Sequence, residues 1–139
     1  MSVEAIAAIC GLVIVVLTFI VVITRFIFKK VPRKLKEDKF VGKWKELEAY
    51  CKDKSTWPEA LKSADELLDE ALKRRRFKGK NMGERMVSAQ KEFTNNDDVW
   101  FGHKLTKKIA EDPELKLKET DVKSALLGIH RALKDLGAL

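Results

Sequence analysis

Histidine, cysteine and proline are scarce in this 139-residue chain, which holds two His, two Cys, three Pro and one Tyr. Each scarcity excludes something. Cys10 sits in an apolar run and Cys51 in charged surroundings, so the two build no disulfide framework. His103 and His130 show no metal-ligand spacing with either thiol, and a site uniting Cys51 with both histidines could arise only through folding. No serine has a Gly-x-Ser-x-Gly context. Gly79-Lys80-Asn81 lacks both the earlier glycine and the following Ser or Thr of a phosphate loop. No carboxylate pair stands apart from helix caps and solvated faces. Period-two alternation and Gly/Asn hairpin signals are absent, which excludes a sheet fold. No cofactor, no metal and no catalytic residue is therefore expected.

What the chain does have is an uninterrupted run of twenty uncharged residues, Ala5 to Thr24, between Glu4 and Arg25. As a helix rising about 1.5 Å per residue, it covers roughly the 30 Å hydrocarbon thickness of a bilayer. A cleaved signal peptide carries basic residues before its apolar core and a small-residue cleavage site after it. Here an acid precedes the run and Arg25-Phe26-Ile27-Phe28-Lys29-Lys30 follows, so the segment reads as a retained anchor. Arg25, Lys29, Lys30, Arg33, Lys34, Lys36 and Lys39 all flank its C-terminal side, and short positive flanks stay in the cytoplasm. The expectation is a single-pass protein of a cell (inner) membrane, of bacterial type, with its N-terminus outside and the remainder cytoplasmic. The same juxtamembrane cations would also lie against anionic headgroups.

Charge divides the chain. Residues 1–39 hold 7 Lys and Arg against 3 Asp and Glu, a balance of +4, and residues 40–139 hold 21 against 18, a balance of +3, out of +7 overall. Pro32 restricts Val31 and lacks a backbone donor, so the first helix should end or kink there. The expected organisation is an anchor with its basic flank over 1–31, a charged linker over 32–39 and one domain over 40–139, long enough for one core but not two.

That domain reads as helical throughout. Phe40, Trp44, Leu47 and Cys51 recur at helical spacing. Ser55 or Thr56 offers an N-cap and Pro58 suits a first turn, ahead of a broad apolar face of Trp57, Ala60, Leu61, Ala64, Leu67, Leu68, Ala71 and Leu72. A loop bounded by Gly79 and Gly83 precedes a short helix marked by Met82, Met86, Ala89 and Phe93. Asn95-Asn96-Asp97-Asp98 offers the next cap, before a helix with Phe101, Leu105 and Ile109 inward that stops near Asp112-Pro113. The last helix follows Thr120 with Val122, Ala125, Leu126, Ile129, Leu133 and Leu136 inward, and Gly137 ends it. The predicted class is all-α: one transmembrane helix followed by a small antiparallel bundle of about four to five helices.

Within this pattern the segment Trp100-Phe101-Gly102-His103-Lys104-Leu105-Thr106-Lys107-Lys108-Ile109-Ala110-Glu111-Asp112, preceded by Ala64-Asp65-Glu66-Leu67-Leu68-Asp69 and Met82-Gly83-Glu84-Arg85-Met86, resembles small bacterial helical domains of the HEPN superfamily. The resemblance spans residues 57–137. In that superfamily the corresponding helix commonly reads Arg-Asn-x-x-Ala-His, and active members cleave RNA without a metal. Here the arginine falls on Thr106, the asparagine on Lys107 and the histidine on Glu111. Glutamate is ionised near neutral pH where imidazole exchanges protons, and threonine supplies no fixed cation for phosphate charge. The resemblance therefore implies a non-catalytic relative. Lys107 and Glu111, at i and i+4, are expected to form a surface ion pair.

The segment Lys73-Arg74-Arg75-Arg76-Phe77-Lys78-Gly79-Lys80 places six cations in eight positions. It reads as a helix C-terminus complementing its dipole, as a contact for anionic lipid, or as a contact for nucleic-acid phosphates. The near balance of charge over the domain disfavours a large nucleic-acid face. On the fourth soluble helix, Trp100 falls off the Phe101/Leu105/Ile109 stripe and shares a face with Lys104, Lys107 and Glu111. Those four residues are the candidate interaction surface, although packing against a neighbouring helix is the more common fate of a tryptophan and is the other role open to Trp100. The functional expectation is a membrane-anchored, non-catalytic module for protein interaction or scaffolding, with a protein partner or a second copy as its ligand. The alternative is a membrane-tethered, nucleic-acid-binding pseudo-ribonuclease of HEPN-like type.

Overall fold

A computed structural model describes residues 2–30 and 37–139, with the side chains of 26–30 and 37 left out. The chain is 77% helical, with six helices and no strand among the described residues. It forms two compact units, Met1–Pro32 and Arg33–Leu139.

The first unit is α1, Val3–Lys30. Its stretch Val3–Arg25 spans 23 residues at mean hydropathy 3.3, none of it buried, which is long and apolar enough to cross a membrane. Its few hydroxyls are satisfied within the helix. The Thr18 and Thr24 Oγ1 groups donate to the carbonyls of Val15 and Val21 at 2.8 and 2.9 Å, as a polar group in hydrocarbon must. Arg25 lies at the end of this stretch. Pro32, Arg33, Lys34 and Lys36 of the expected flank fall outside the described residues, as do the side chains of Lys29 and Lys30.

The second unit holds α2 (Glu37–Tyr50), a one-turn 3-10 segment (Lys54–Thr56), α3 (Trp57–Arg74), α4 (Met82–Ser88), α5 (Asn96–Glu111) and α6 (Glu119–Asp135). Of the segment expected as a linker over 32–39, Glu37, Asp38 and Lys39 lie in α2. Lys39 is recruited into the bundle: its ammonium and that of Lys43 hold the two Glu70 oxygens at 2.8 and 2.9 Å. At the opposite end of α2 the Trp57 indole N–H donates to the Cys51 carbonyl at 3.0 Å. These two clasps fix α2 antiparallel to α3, with Phe40 and Leu47 buried between them.

The centre of the bundle is α3, whose Ala60, Leu61, Ala64, Leu67, Leu68, Ala71 and Leu72 are all buried, as the sequence pattern expects. The expected capping at its start is replaced. Thr56 precedes the helix without a side-chain cap and turns its hydroxyl back to the Tyr50 carbonyl at 2.6 Å, while Asp53 caps the short 3-10 turn instead. The main core joins Phe40 and Leu47 to Leu68 and Leu72 of α3, Met86 of α4, Val99 of α5 and Ile129 and Leu133 of α6. A smaller cluster at the far end joins Leu61, Leu105, Val122 and Ala125, with Leu126 against both.

Helices α5 and α6 approach closely through glycine. A Cβ on Gly128 would stand 2.5 Å from the Asp98 carbonyl oxygen, and one on Gly102 would stand 3.0 Å from the Ala125 carbonyl oxygen. The pairing of 98 with 128 and of 102 with 125 makes this seam antiparallel. The loop expected between Gly79 and Gly83 ends earlier, since Asn81 caps α4 by accepting the Glu84 N–H at 2.9 Å and Gly83 lies inside the helix. At α5 the expected cap is present, with Asn95 accepting the Asp98 N–H at 3.2 Å.

Two helices end the same way. At α6, Gly137 at φ +74° donates to Lys134 and Ala138 donates to Leu133, both at 2.9 Å. At α3, Arg76 at φ +61° donates to Lys73 at 2.9 Å and Phe77 donates to Leu72 at 3.1 Å. Both are Schellman ends, but the second puts an arginine where glycine belongs. Arg76→Gly should thus stabilise the bundle by up to about 1 kcal/mol, seen as a raised thermal midpoint in the circular dichroism of the full chain in detergent.

Hydrogen bonds from Lys39 and Lys43 hold the Glu70 carboxyl down at about 2, against an ordinary 4.5. A depressed acid contributes stability that is complete above its unfolded value and disappears as pH falls through its folded one. The midpoint difference between wild type and Glu70→Gln should accordingly be greatest above pH 5 and shrink toward pH 2. A difference independent of pH over that window would show that the carboxylate charge is not what clasps α2.

Candidate functional site

Helix α5 carries the candidate site. Its inward surface is Val99, Gly102, His103 and Leu105, all buried. This displaces the expected stripe by part of a turn. Phe101 is 41% exposed and Ile109 is half-buried, whereas Trp100, expected off the stripe, packs in part against the main core. The reason is local. Gly102 and His103 are not apolar enough to register in a hydrophobic pattern, yet Gly102 makes the seam with α6 and His103 reaches inward to α3.

His103 is the buried polar residue of the bundle. Its Nδ1 lies 3.1 Å from both Asp65 oxygens on α3, and the two side chains are 10% and 13% exposed. With a carboxylate as its partner, Nδ1 carries the proton and donates. The imidazole meets the edge of the Trp100 indole, with ring centroids 6.0 Å apart and planes at 72°. On its other side Trp100 faces Gly83 of α4, where an added Cβ would touch the indole at 3.8 Å. Asp65, His103 and Trp100 thus form a stack running outward from α3.

Above this stack the surface opens into a shallow depression of about 580 Å³ lined by Asp97, Trp100, Phe101 and Lys104. The Lys104 ammonium stands 6.0 Å over the Trp100 ring, within cation–π range. Of the four candidate interaction residues, the structure therefore brings Trp100 and Lys104 together. It leaves Lys107 and Glu111 exposed a turn or more away. No ion pair joins those two among the described residues, although Glu119 and Lys123, at the same spacing, close to 2.7 Å. Asp97 and Phe101, which line the depression, were not expected there. Thr106 turns its hydroxyl back to the Gly102 carbonyl at 3.0 Å.

The basic segment does not act as one patch. Lys73 pairs with Asp69 at 3.1 Å and Arg74 with Glu70 at 3.2 Å, each one turn back on α3. Arg75 donates to the Leu136 carbonyl at 2.8 Å and lies over the Phe77 ring, so it pins the end of α6. The loop beyond is held by a bidentate Arg85–Asp69 pair at 2.8 and 3.0 Å, with Arg85 also donating to the Gly79 carbonyl at 3.0 Å. Burial pushes the Asp69 carboxyl up, but its bonds to Arg85 and Lys73 outweigh that and leave it below the ordinary range. Arg76, Lys78 and Lys80 remain exposed, without an ion pair among the described residues.

The remaining histidine and thiols stay apart. His130 stacks on Trp44 at 4.9 Å. Burial, helped by Lys134 and opposed by Glu48, pushes its imidazole down. Cys51 donates to the Leu47 carbonyl at 3.6 Å, and burial, with Glu48 beside it, pushes its thiol up. Cys10 is exposed on α1. Among the described residues no group of three or more His, Cys, Asp and Glu could hold a metal ion.

An imidazole oriented by a carboxylate can serve as a general base, but no hydroxyl or thiol bonds to His103 among the described residues. What the pair does in the fold is bridge α3 to α5. The chain matches no family model, no curated protein and no solved structure.

Asp65→Ala should lower stability by about 1–3 kcal/mol, because it strands a buried donor. The double variant Asp65→Ala/His103→Leu should recover part of that loss. Thermal midpoints of the four proteins measure the coupling, and strictly additive losses would rule out a bridge.

Proposed function

We propose that this chain is a single-pass membrane protein whose helical bundle serves as a non-catalytic interaction or scaffolding module on the cytoplasmic side. The observation that carries the reading is an unburied apolar α1 together with a bundle whose Asp65–His103 and Asp69–Arg85 pairs tie helix to helix, although the buried Asn96 Oδ1 lacks a hydrogen-bond partner. Asp65, His103, Asp69 and Arg85 each have a partner that ties two elements together. Such pairs have a structural use, which supports a module that presents a surface. Orientation follows from the cations on the C-terminal side of the apolar run, which favour a cytoplasmic bundle and an outward N-terminus.

A nucleic-acid-binding pseudo-ribonuclease is the second reading. It draws on the HEPN-like segment and on the exposed Arg76, Lys78 and Lys80. At the positions that cleavage would need, Thr106 is engaged with its own helix and Lys107 and Glu111 project into solvent. That arrangement favours binding over cleavage even within this reading.

A C-terminal alkaline phosphatase fusion should be inactive while a C-terminal green fluorescent protein fusion is bright, and the protein should resist carbonate extraction. Crosslinking in native membranes, with and without nuclease, should yield a nuclease-resistant protein adduct. Nuclease-sensitive adducts alone would replace scaffolding with the nucleic-acid reading, and an active phosphatase fusion would reverse the topology.

A further inference from the structure

The depression on α5 combines two features that rarely coincide on a solvated helix. Its floor is aromatic and fixed from below. Trp100 is held at its edge by His103, which Asp65 orients from α3, and beside Gly83 of α4. Its wall is Phe101, whose ring is 41% exposed. Rigid aromatic surface of this kind forms the anchor points of protein interfaces, since little conformational freedom is surrendered when it is covered.

The surroundings are charged in a pattern. Lys104 stands on the rim, and Lys107 and Lys108 follow on the next turn, all three exposed and without an ion pair among the described residues. Lys39, Lys43, Lys73 and Lys123 lie within 3.1 Å of a carboxylate, while other bundle lysines such as Lys45 and Lys91 are also without an ion pair among the described residues, so it is the row beside the two rings that sets these three apart. Asp97 closes the opposite end of the depression. A ligand seated there would thus meet one acid, two rings and three ammonium groups in succession along about three turns of α5.

We propose that this surface is the docking site for an acidic segment of a partner protein, which inserts an apolar side chain between Trp100 and Phe101 and lays its carboxylates along Lys104, Lys107 and Lys108. The proposal rests on the scaffolding reading and gives it a partner chemistry. Charge complementarity selects the acid, because three ammonium groups in a row favour carboxylates and repel a basic helix. The aromatic floor selects the apolar anchor. A nucleic-acid strand fits less well. Stacking needs a free ring face, and the Trp100 indole has His103 at its edge and the Lys104 ammonium over it.

Two consequences distinguish the roles of the residues. Phe101 and Trp100 contribute affinity that persists in salt, whereas the lysines contribute association rate and salt dependence. Lys107, unpaired with Glu111, is free for the partner.

The test uses the full chain in nanodiscs. The probes are three fluorescein-labelled synthetic helical peptides: one acidic with Phe and Leu one turn apart, one with each Glu replaced by Lys, and one acidic with both apolar residues replaced by Ala. Anisotropy titrations should show the first peptide binding and the other two at least about tenfold weaker. Phe101→Ala and Lys104→Glu in the protein should each weaken the first peptide about fivefold or more, and Lys104→Glu should do so mainly at low salt. Lys45→Ala, an exposed position on α2, serves as the folded control and should bind as wild type.

Equal binding of the acidic and basic peptides, or binding indifferent to both Phe101→Ala and Lys104→Glu, would overturn the site. So would a labelled single-stranded RNA that binds wild type but not Phe101→Ala while the acidic peptide does not bind. Native-membrane crosslinking of a Phe101→Ala/Lys104→Glu variant separates the two levels. Loss of the wild-type adduct supports docking at this surface. Persistence of the adduct removes this surface but keeps the scaffold, whereas absence of any protein adduct from wild type as well removes the scaffold.

Discussion

Burial of the α3 stripe is the constraint from which the rest of the bundle follows. Seven apolar residues on one helix, from Ala60 to Leu72, are removed from water, and each large side chain among them is worth about 1.5–3 kcal/mol when fully buried. No single neighbour can cover a face that broad. Helix α2 covers it with Phe40 and Leu47, α4 with Met86, α5 with Val99 and Leu105, and α6 with Ile129 and Leu133. The antiparallel course of α2 and α5 against α3 is then the shortest way for a chain with short connections to return to the same stripe. The close α5–α6 seam at Gly102 and Gly128 follows in turn, since two helices sharing one side of α3 must approach within backbone contact.

Polar side chains decide the register that apolar packing leaves open. Leucine faces slide past one another at little cost, whereas a buried charge without its partner is expensive. His103 with Asp65 fixes α5 on α3, Arg85 with Asp69 fixes α4, and Glu70 with Lys39 and Lys43 fixes α2. Arg75 fixes α6 through the Leu136 carbonyl. The four other helices are thus each pinned to α3 or to its C-terminal end by at least one specific polar contact. This also explains why the cation-rich end of α3 yields so little free charge: Lys73, Arg74 and Arg75 are consumed by Asp69, Glu70 and a main-chain carbonyl.

Much of this was legible in the sequence, and the part that was not has a common cause. Helices were readable wherever the inward face is apolar, as in α3 and α6, because hydrophobic spacing reports burial directly. Caps were readable at Asn95 and at Gly137, where side-chain chemistry and backbone conformation are local properties. The inward face of α5 was misread, with Phe101 inside and Trp100 outside. Its true face is built around Gly102 and His103, one chosen for having no side chain and the other for a partner 38 positions away. Nothing local marks Asp65 and His103 as a pair. Their one trace is that each stands among buried positions of its helix, Asp65 beside Ala64 and His103 between Gly102 and Leu105. The fate of the basic segment was hidden for the same reason, since it depends on carboxylates a turn back and on a carbonyl of the last helix. Arg76 at positive φ gave no signal, because a Schellman end announces itself in sequence only when glycine occupies it.

The two units meet opposite demands of solvent. In the bundle every apolar stripe has a protein neighbour and the polar residues face outward or pair. On α1 none of the stretch Val3–Arg25 is buried, while its threonine hydroxyls are turned back onto their own helix. A helix that leaves its apolar side chains open on every side while closing off its own hydroxyls is matched to hydrocarbon, not to water. The exposed aromatic ring of Phe101 is a different case, because it stands within a charged surface rather than an apolar one. Lipid covers an apolar surface without regard to position, but a single ring between a carboxylate and a row of lysines is matched by a ligand of defined charge and shape. A helix long and apolar enough to cross a membrane and the docking surface we propose on α5 therefore stand on separate features, one on composition along α1 and the other on a few side chains.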